Sequence, residues 1–419
     1  MKEKVKIGFI GIGSRCRGLI SRCFTDMSDV ETSIICDLED FAINETLKIF
    51  EEKSLPLPRI TKDADEVIND PEIDAVIIAT GWREHAELAK KSVLAGKYTA
   101  VEVGCAFDLS ECFELLEAYE KTKAPLMMLE NCCYGRFEMM GLRLVREGLF
   151  GDIVHCTGAY AHHLPDVELF AYETREYPHY RINSYINRNC EQYPTHALGP
   201  IAKALNINRG NRFMTISSFA SKSGALKAAE KRILGENNKY SDCNYKQGDI
   251  ITTVITCAGG ETIHLSLDTT APRPYYSRDF GIRGTIGMMS EERHTVFFQG
   301  MDEPCENNMN EMFEKYDHPL HREFHSLGEK GGHGGIDWLV SRAFVESVKA
   351  GVNTPIDAYD TVTMMAIASL SEMSIEKGGA PISFPDFTRG KWMDKTPIKT
   401  VGKYSLDEII EDKNIPIFP

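Results

Sequence analysis

The chain has 419 residues, of which 42% are hydrophobic and 26% are charged. This length is too great for one average domain and comfortable for two, and the composition is that of a folded globular protein. Acidic residues outnumber basic ones by 62 to 47, and the basic residues are scattered along the chain, which argues against a nucleic-acid partner. We find neither a signal-peptide pattern nor the apolar run of about 20 residues that a membrane span requires, and therefore expect a cytoplasmic protein without a membrane partner.

Cysteine and histidine spacing argues against disulfides and metal sites. The twelve cysteines are spread along the chain without a CxxC pair, which favours reduced, buried thiols in a chain without an export signal. Several histidines could bind a metal, but no HxH or HExxH pattern occurs, and histidines near tyrosines suit proton transfer better. We predict no metal. The histidines considered are His162, His163, His179, His196 and His333.

The segment VKIGFIGIGSRCRGLI, residues 5–20, has the pattern of a buried strand, a glycine-rich turn and the start of a helix. Gly11 and Gly13 lie in the turn, where backbone N–H groups at a helix N-terminus bind a pyrophosphate. The next apolar strand ends at Asp37, whose carboxylate can accept hydrogen bonds from the ribose hydroxyls of NAD and would repel the extra phosphate of NADP. We therefore predict NAD as the cofactor; the alternative is a doubly wound fold that has lost it.

Strand and helix patterns continue to alternate as far as residue 130, with strands expected at 74–80, 98–104 and 125–131. This alternation predicts an N-terminal Rossmann domain, residues 1–130, built on a doubly wound parallel sheet. Ligands bind beyond the carboxyl ends of such strands, so several residues are expected near the cofactor. They are Trp82, His85, Glu102, Val103 and Asn131. For His85, a solvent-facing position on the helix is an equal alternative.

After the helical segment that ends in LVREGLFGDIV, residues 144–154, the pattern changes. Strand patterns at 152–163, 251–270 and 278–290 lack intervening helices, which predicts a mostly antiparallel sheet. Helical patterns at 335–351 and 357–379, the latter with Asp357 as N-cap, would cover one face. We therefore predict an α/β protein in which an α+β domain, residues 131–419, carries a large open sheet. Its other face would take the substrate or a second subunit.

Three segments of the second domain are rich in Tyr, Arg and His: residues 177–196, 268–281 and 329–338. Tyr and Arg side chains in a cleft provide apolar faces and fixed donors, which suit a sugar, although a rigid surface would use the same residues. His333 lies among four glycines, so a role in positioning the backbone and a catalytic role are both open.

Six motifs occur in one order along the chain: WREH at 82–85, ENCCY at 130–134, RNCEQYPTHALGP at 188–200, LNINRGNR at 205–212, DTTAPRPYYSR at 268–278 and GGHGGIDW at 331–338. With them the chain resembles the Gfo/Idh/MocA oxidoreductase superfamily over its whole length, and within it glycoside hydrolase family 109, the NAD-dependent α-N-acetylgalactosaminidases. The resemblance implies a dimer or tetramer and a set of site residues. Those implied for NAD are Ser14, Arg15, Asp37, Trp82, His85, Glu102, Val103, Asn131 and His179; those implied for the sugar are Tyr160, Arg181, Tyr193, Pro194, Thr195, His196 and Tyr275.

The resemblance also implies a mechanism. In that family NAD takes a hydride from sugar carbon 3, a base takes the proton on carbon 2, the aglycone leaves, water adds at carbon 1, and the hydride is returned. We expect His196 and Tyr193 to be the acid/base pair, supported by Tyr160 and Tyr275. His196 should be neutral, because a helix N-terminus disfavours a protonated imidazole. Which residue moves which proton is open.

Two alternatives are kept. The superfamily carries a Lys-Pro pair after the strand-end Glu, and the Lys assists simple alcohol oxidation. Here Val103 and Gly104 follow Glu102, which argues against a standard dehydrogenase. A sugar dehydrogenase that releases NADH at each turnover is nevertheless the first alternative. The second is a non-catalytic, NAD-linked sugar sensor.

Overall fold

A six-stranded parallel sheet forms the N-terminal part of the computed structural model, which describes residues 3–171, 179–302 and 305–419. Its strands are β1 (Val5–Ile10), β2 (Val30–Cys36), β3 (Arg59–Thr61), β4 (Ala75–Ile78), β5 (Tyr98–Val101) and β6 (Leu126–Met128). The helices between them are α1 (Ser14–Arg22), α2 (Asp40–Glu52), α3 (Ala64–Ile68), α4 (Trp82–Leu94) and α5 (Leu109–Thr122). This confirms the predicted Rossmann domain.

The strand order in this sheet is β3-β2-β1-β4-β5-β6, so the direction of winding reverses between β1 and β4. Such a reversal opens a crevice at the carboxyl ends of the strands, where ligands of this fold bind. The observed strands are shorter than predicted: β5 ends at Val101, and Glu102 to Gly104 leave the ladder. Glu102 and its neighbours are therefore free to line the crevice.

The second sheet has eight strands in the described residues. They are β7 (Ile153–Ala161), β8 (Phe213–Ala220), β9 (Ile250–Cys257), β10 (Thr262–Asp268), β11 (Gly281–Gly284), β12 (Gly287–Ser290), β13 (Thr295–Phe298) and β14 (Ile382–Ser383). The accompanying helices are α6 (Arg136–Arg146), α7 (Tyr180–Asn187), α8 (Thr195–Ala204), α9 (Ala225–Leu234), α10 (Met309–Tyr316), α11 (Pro319–Leu327), α12 (Ile336–Ala350), α13 (Ala358–Met365) and α14 (Ile367–Glu376).

The order of this sheet is β13-β12-β11-β7-β10-β9-β8-β14. Among the described strands of this sheet only β7 and β10 pair in parallel, so the predicted mostly antiparallel sheet is confirmed. Helix α8 packs closely on β7 because Gly158 has no side chain: a Cβ there would lie 2.7 Å from that of Ala197. Helix α8 therefore covers the part of one face that β7 forms.

Helix α13 and the loop before it are attached to β6 of the first sheet. Backbone groups of β6 bond to side chains at the start of α13 and in the loop before it: Met128 N donates to Thr361 Oγ1 at 3.1 Å, and Thr354 Oγ1 donates to Leu126 O at 3.0 Å. Asp357 caps α13 as predicted. The single helix expected over 357–379 is instead two helices, which meet at Ala366.

No helix in the described ranges is long and apolar enough to cross a membrane. All twelve cysteines are free, and ten of them are buried. The ten buried thiols are therefore packing groups, because burial disfavours the reactive thiolate.

Gly11 and Gly13 give a matched pair of substitutions. Gly11 has a φ of +79°, and a Cβ there would lie 2.6 Å from the backbone nitrogen of Thr80, whereas a Cβ at Gly13 would meet no atom within 4 Å. We expect Gly11→Ala to lower the free energy of unfolding by about 2 kcal/mol or more and Gly13→Ala to change it by less than about 1 kcal/mol. Thermal unfolding measures both. Equal losses would contradict the assigned turn geometry.

Candidate active site

The glycine turn lies at the open end of β1. Gly11 N donates to Cys36 O at 2.9 Å, and Ile12 N donates to Asp37 Oδ2 at 2.8 Å, so the strand-end carboxylate is held beside the turn. Gly13 and Ser14 are exposed where α1 begins, and the first N–H groups of a helix have no partner within it. The cradle that a Cβ at Gly11 would fill and the open N-terminus of α1 fit a dinucleotide pyrophosphate.

Arg15, on the first turn of α1, lies between two carboxylates. Its Nε donates to Glu102 Oε1 at 2.8 Å, and its two terminal nitrogens donate to the carboxylate of Asp337 at 2.8 and 2.9 Å. Asp337 also accepts from Asn131 Nδ2 at 2.7 Å and bonds to His333 Nδ1 at 2.8 Å. Burial alone would raise the pKa of Asp337, but its hydrogen bonds from His333 and Arg15 hold it well below its usual value. The carboxylate is therefore charged and joins the two domains.

Asp337 was not singled out in the sequence, although its motif was. The glycines of GGHGGIDW adopt backbone angles that other residues rarely reach, with φ of +84° at Gly331 and +92° at Gly335. They lead the chain sharply into α12, so that Asp337 lies in its first turn. The side chain of His333 is 61% exposed and contacts Asp337, which favours the positioning role for this segment over a catalytic one. The signal in the sequence that could have identified Asp337 was an acid in the first turn of a predicted helix, directly after a run of glycines.

Three further residues predicted near the cofactor line the carboxyl ends of β4 and β5. His85 is buried, and its Nε2 bonds to Thr80 O at 2.9 Å, so the solvent-facing alternative is wrong. Burial lowers the pKa of His85 to about 4, and its Nδ1 has no partner among the described residues. Val103 is also buried, with its N–H donated to Glu102 Oε2 at 3.0 Å. Trp82 begins α4 and faces the second domain.

An aromatic cluster spans the crevice from Trp82. The Trp82 ring lies 5.8 Å from that of Tyr193, which in turn lies 4.4 Å from that of Tyr160. The guanidinium of Arg181 lies over the rings of Trp82 and Tyr193, at 5.2 and 4.8 Å, and its Nη1 is 3.0 Å from Glu168 Oε2. The sequence-predicted sugar residues Tyr160, Arg181 and Tyr193 are thus brought together.

His196 lies on the first turn of α8, which begins at Thr195 after an N-cap at Pro194. Its ring is 4.9 Å from that of Tyr193, nearly perpendicular to it. Its Nδ1 is 2.7 Å from Oε1 of Glu130, which is fully buried. Since a carboxylate only accepts, the imidazole carries a proton on Nδ1, and in the neutral ring the free lone pair is on Nε2.

Glu130 is the functional residue that the sequence reasoning missed most clearly. Burial favours its neutral form, but the charge and hydrogen bond of His196 outweigh this and lower its pKa. The N-terminus of α8 disfavours positive charge on His196. The carboxylate of Glu130 has the opposite effect, because it stabilises that charge. Its position two residues beyond the end of β6, at the carboxyl edge of a parallel sheet, was the signal that could have found it.

Tyr275 and His179 were also predicted as site residues, but they lie away from the centre of the aromatic cluster. Tyr275 is 59% exposed and stacks with the guanidinium of Arg273 at 5.0 Å, while the adjacent Tyr276 faces the cluster, 6.2 Å from the ring of Tyr160. His179 is the N-cap of α7, and its ring stacks on that of Tyr180 at 4.6 Å. Tyr180 contacts Trp82 at 5.3 Å, so His179 lies at the edge of the cluster.

Ligand atoms of Glu130, Cys132 and His196 lie within 4.8 Å of one another, close enough to hold a metal ion. The carboxylate already bonds directly to His196 and to the backbone N–H of Cys132, at 2.7 and 3.0 Å. Burial raises the pKa of the Cys132 thiol well above its usual value, and Arg278 lies 3.7 Å from its sulfur. A cation beside a protonated thiol disfavours a second cation, so we derive no step from a metal.

Two family models match this architecture. Residues 134–394 match the family described as glycosyl hydrolase 109, C-terminal domain, and residues 5–130 match the oxidoreductase family with an NAD-binding Rossmann fold. The chain belongs to glycoside hydrolase family 109. It is therefore a glycoside hydrolase that carries an NAD-binding domain.

Curated relatives of this family 109 chain span nearly all of it. An α-N-acetylgalactosaminidase of Tannerella forsythia is 37% identical over 414 residues, covering 94% of this chain and 88% of its own. One of Shewanella oneidensis is 34% identical, covering 96% and 88%. Among solved structures, a levoglucosan dehydrogenase in complex with NADH and L-sorbose has a TM-score of 0.71 at 19% identity, covering 92% of this chain and 100% of its own, which shows a shared fold.

Asp337→Asn tests the ion-pair network. The variant keeps the shape of the side chain but removes the charge opposite Arg15, so we expect a loss of about 2 kcal/mol in the free energy of unfolding and weaker NAD retention. His333→Ala is the matched control: it removes an exposed partner of the same carboxylate and should cost less than about 0.5 kcal/mol. Thermal unfolding and the amount of NAD bound after gel filtration measure the effects. A larger effect of His333→Ala would contradict the assignment.

Glu191, in the segment before His196, is a buried acid without a cation partner in the described part of the chain. It accepts a hydrogen bond from the backbone N–H of Tyr193, yet burial raises its pKa from 4.5 to about 8. The folded protein therefore holds a proton that the unfolded chain releases from about pH 4.5 upward, and stability falls as the pH rises between these values.

We expect Glu191→Gln to abolish that decline, because Gln keeps the acceptor and cannot ionise. At pH 8 the variant should exceed the parent in the free energy of unfolding by about 4 kcal/mol, and near pH 4.5 the two should be alike. Chemical denaturation at a series of pH values measures this. The exposed Glu52→Gln should follow the parent, and parallel pH profiles for parent and Glu191→Gln would show that the carboxyl is charged.

Proposed function

We propose that this protein hydrolyses α-N-acetylgalactosaminides, or closely related glycosides, with NAD held in the Rossmann domain throughout turnover. The observation that carries the proposal is the Glu130–His196 pair, with Tyr193 and Tyr160 beside it, at the carboxyl edge of the NAD-binding sheet. The substrate class is supported by the relatives named α-N-acetylgalactosaminidase.

The residues that would hold NAD come from both domains. Gly11, Gly13 and Ser14 would bind the pyrophosphate, and Asp37 the ribose. The remaining contacts would come from Arg15, Trp82, His85, Glu102, Val103, Asn131 and His179. When bound there, NAD supplies reversible hydride removal at sugar carbon 3, which acidifies the hydrogen on carbon 2.

His196 would take that carbon 2 proton on Nε2. Glu130 holds Nδ1–H and stabilises the positive charge that the imidazole then acquires, as a buried carboxylate does for a catalytic histidine. The aglycone would then leave and water would add at carbon 1, while the proton on Nε2 exchanges with solvent. His196 would deliver a solvent-derived proton to carbon 2, and return of the hydride to carbon 3 would complete the hydrolysis. Tyr193 would act with His196 as the acid/base pair, on the aglycone oxygen and the incoming water.

The sugar itself would be held by the other polar groups of the cluster. Arg181 is fixed by Glu168 and by two aromatic rings, so its donors are preorganised. Pro194 and Thr195 set the start of α8 and thereby the place of His196. We retain Tyr275 as a sugar contact at the exposed rim of the site, where the aglycone would lie.

The two alternatives make different demands on the site. A sugar dehydrogenase of this superfamily uses a Lys beyond the strand-end Glu, whereas Val103 occupies that place and is buried. A sugar sensor does not need a base, yet the site contains a histidine fixed by a fully buried carboxylate. Burying a carboxylate is costly, so its pairing with His196 favours a catalytic role.

Three further features belong to this proposal. We place the domain boundary between residues 130 and 131 and the protein in the cytoplasm, where free thiols such as those of this chain persist.

We also propose a dimer or tetramer formed through the helix-free face of the second sheet. Phe219 is 55% exposed on that face, and Val254, which pairs with Ser217 on the same face, is 38% exposed. Sedimentation of Phe219→Glu against the parent tests the assembly.

The function is tested by incubating the protein, without added NAD, with nitrophenyl α-N-acetylgalactosaminide in deuterated water. We expect release of nitrophenol and deuterium on carbon 2 of the free sugar. Glu130→Gln should lower both by about 100-fold, because it removes the negative charge behind His196. Release without deuterium would refute the elimination route. Accumulation of NADH from free sugar would favour the dehydrogenase, and sugar binding without turnover would favour the sensor.

A further inference from the structure

The tyrosines of the site have an imidazole on each side. His196 lies against Tyr193. His162, which directly follows β7, lies on the other side, where its Nδ1 is 3.2 Å from the hydroxyl oxygen of Tyr160. The two rings are nearly perpendicular, with centroids 5.8 Å apart. His162 is fixed by its own backbone N–H, which donates to Asp268 O at 2.9 Å, so its contact with Tyr160 is built into the sheet edge.

The direction of the proton between these two residues follows from a third. The guanidinium of Arg181 acts to lower the pKa of Tyr160, and it has donors only, so it favours a lone pair of the phenol oxygen turned towards it. The O–H of Tyr160 is then free to point to another acceptor. Nδ1 of His162 lies within reach at 3.2 Å, so we assign the Tyr160 proton to this contact and the His162 proton to Nε2.

We propose that His162 is a positioning residue that receives the phenolic proton of Tyr160 while the Tyr160 oxygen takes the proton of the sugar hydroxyl at carbon 3. The inference rests on the proposed function. In this relay the sugar O–H bond breaks as a new Tyr160 O–H bond forms, and the former phenolic proton moves to Nδ1 of His162. The Nε2 proton then passes to water, and the sequence runs backward when the hydroxyl is restored.

The electrostatics of the two groups suit a concerted transfer. Burial raises the pKa of Tyr160 to about 12, so a free phenolate between two separate transfers is disfavoured. Burial also lowers the pKa of His162, with Arg181, His163 and His196 adding to this and Glu168 opposing it. His162 is thus neutral and ready to accept a proton. The Nε2 atom of His162 has no hydrogen-bond partner in the described chain. It is not buried, so it can pass its proton to water.

The division of labour between the imidazoles has a chemical reason. A proton on carbon needs a base whose positive charge is stabilised, and Glu130 provides this for His196. A proton moving between two oxygens needs an aligned chain of donors and acceptors instead, which Tyr160 and His162 form. The site therefore has one base for carbon 2 and one relay for the hydroxyl at carbon 3.

The first test is independent of turnover. In the protein with its bound NAD, ¹⁵N-histidine NMR should show His162 as the Nε2–H tautomer, with its signals assigned by their loss in His162→Gln. The signals should shift in Tyr160→Phe, which has no proton to donate. An Nδ1–H tautomer would mean that His162 donates to Tyr160, and this would overturn the relay.

The second test separates a relay from a structural anchor. Glutamine can accept the hydrogen bond of Tyr160 but cannot pass the proton on, so His162→Gln should slow the rise in cofactor near-ultraviolet absorbance, on rapid mixing with substrate, by about 10-fold or more. A rate within about twofold of the parent would show that the hydrogen bond alone suffices and would refute the proposal. Tyr160→Phe with His162→Gln should be no slower than Tyr160→Phe alone, because the two residues act as one unit.

His163→Gln is the matched control. This neighbouring imidazole bonds to Ala271 O at 3.1 Å and to Asp166, and it has no contact with Tyr160 in the described structure. Its rate should stay within about twofold of the parent, and a comparable slowing would overturn the assignment to His162. If the parent shows no absorbance change and no glycoside cleavage, the proposed function fails, whereas the tautomer measurement still decides whether Tyr160 donates to His162.

Discussion

The site depends on the carboxylate of Asp337, which joins the C-terminal domain to the first turn of the NAD-binding helix. Arg15 donates to it from the Rossmann domain, and Asn131 donates to it from its own domain. The helix that carries Asp337 is attached a second time, by a bidentate ion pair of Arg342 with Asp29 on the Rossmann domain. Two ion pairs on one helix restrain rotation between the domains. A crevice held in this way suits a cofactor that is reused within one turnover better than one exchanged at every turnover.

The charged groups of the site also depend on ion pairs. Taking a charge out of water is costly unless it is paired, and the buried acids Glu130 and Asp337 each have a basic partner. Where a partner is lacking, the group is neutral: burial raises the pKa of Glu191 and lowers that of His85. The proton transfers proposed here therefore take place among groups whose charge state is set by their neighbours, in a crevice that bulk water reaches only in part.

Sequence patterns anticipated the elements better than the contacts between them. The Rossmann strands and β9 and β10 were predictable because their periodicity and glycine turns are local. The Glu130–His196 bond joins residues 66 positions apart, and the Arg15–Asp337 pair joins residues 322 apart, which spacing alone does not reveal. Tyr275 and Tyr276 show another limit. Neighbouring side chains often face in different directions, and only the fold decides that the second of them faces Tyr160.

Gly104 occupies the place of the superfamily proline, and the space around it excludes a Lys-Pro pair at 103 and 104. A Cβ at Gly104 would lie 2.5 Å from Cδ1 of the Trp82 ring, so any other residue there would displace that ring. Trp82 in turn supports Arg181 and Tyr193. Glycine at 104 is therefore a condition for the aromatic cluster, and a Lys-Pro pair at 103 and 104 would remove the ring on which the cluster is built. Restoring the dehydrogenase residues in this chain would then dismantle the proposed sugar site and would not convert it into a dehydrogenase.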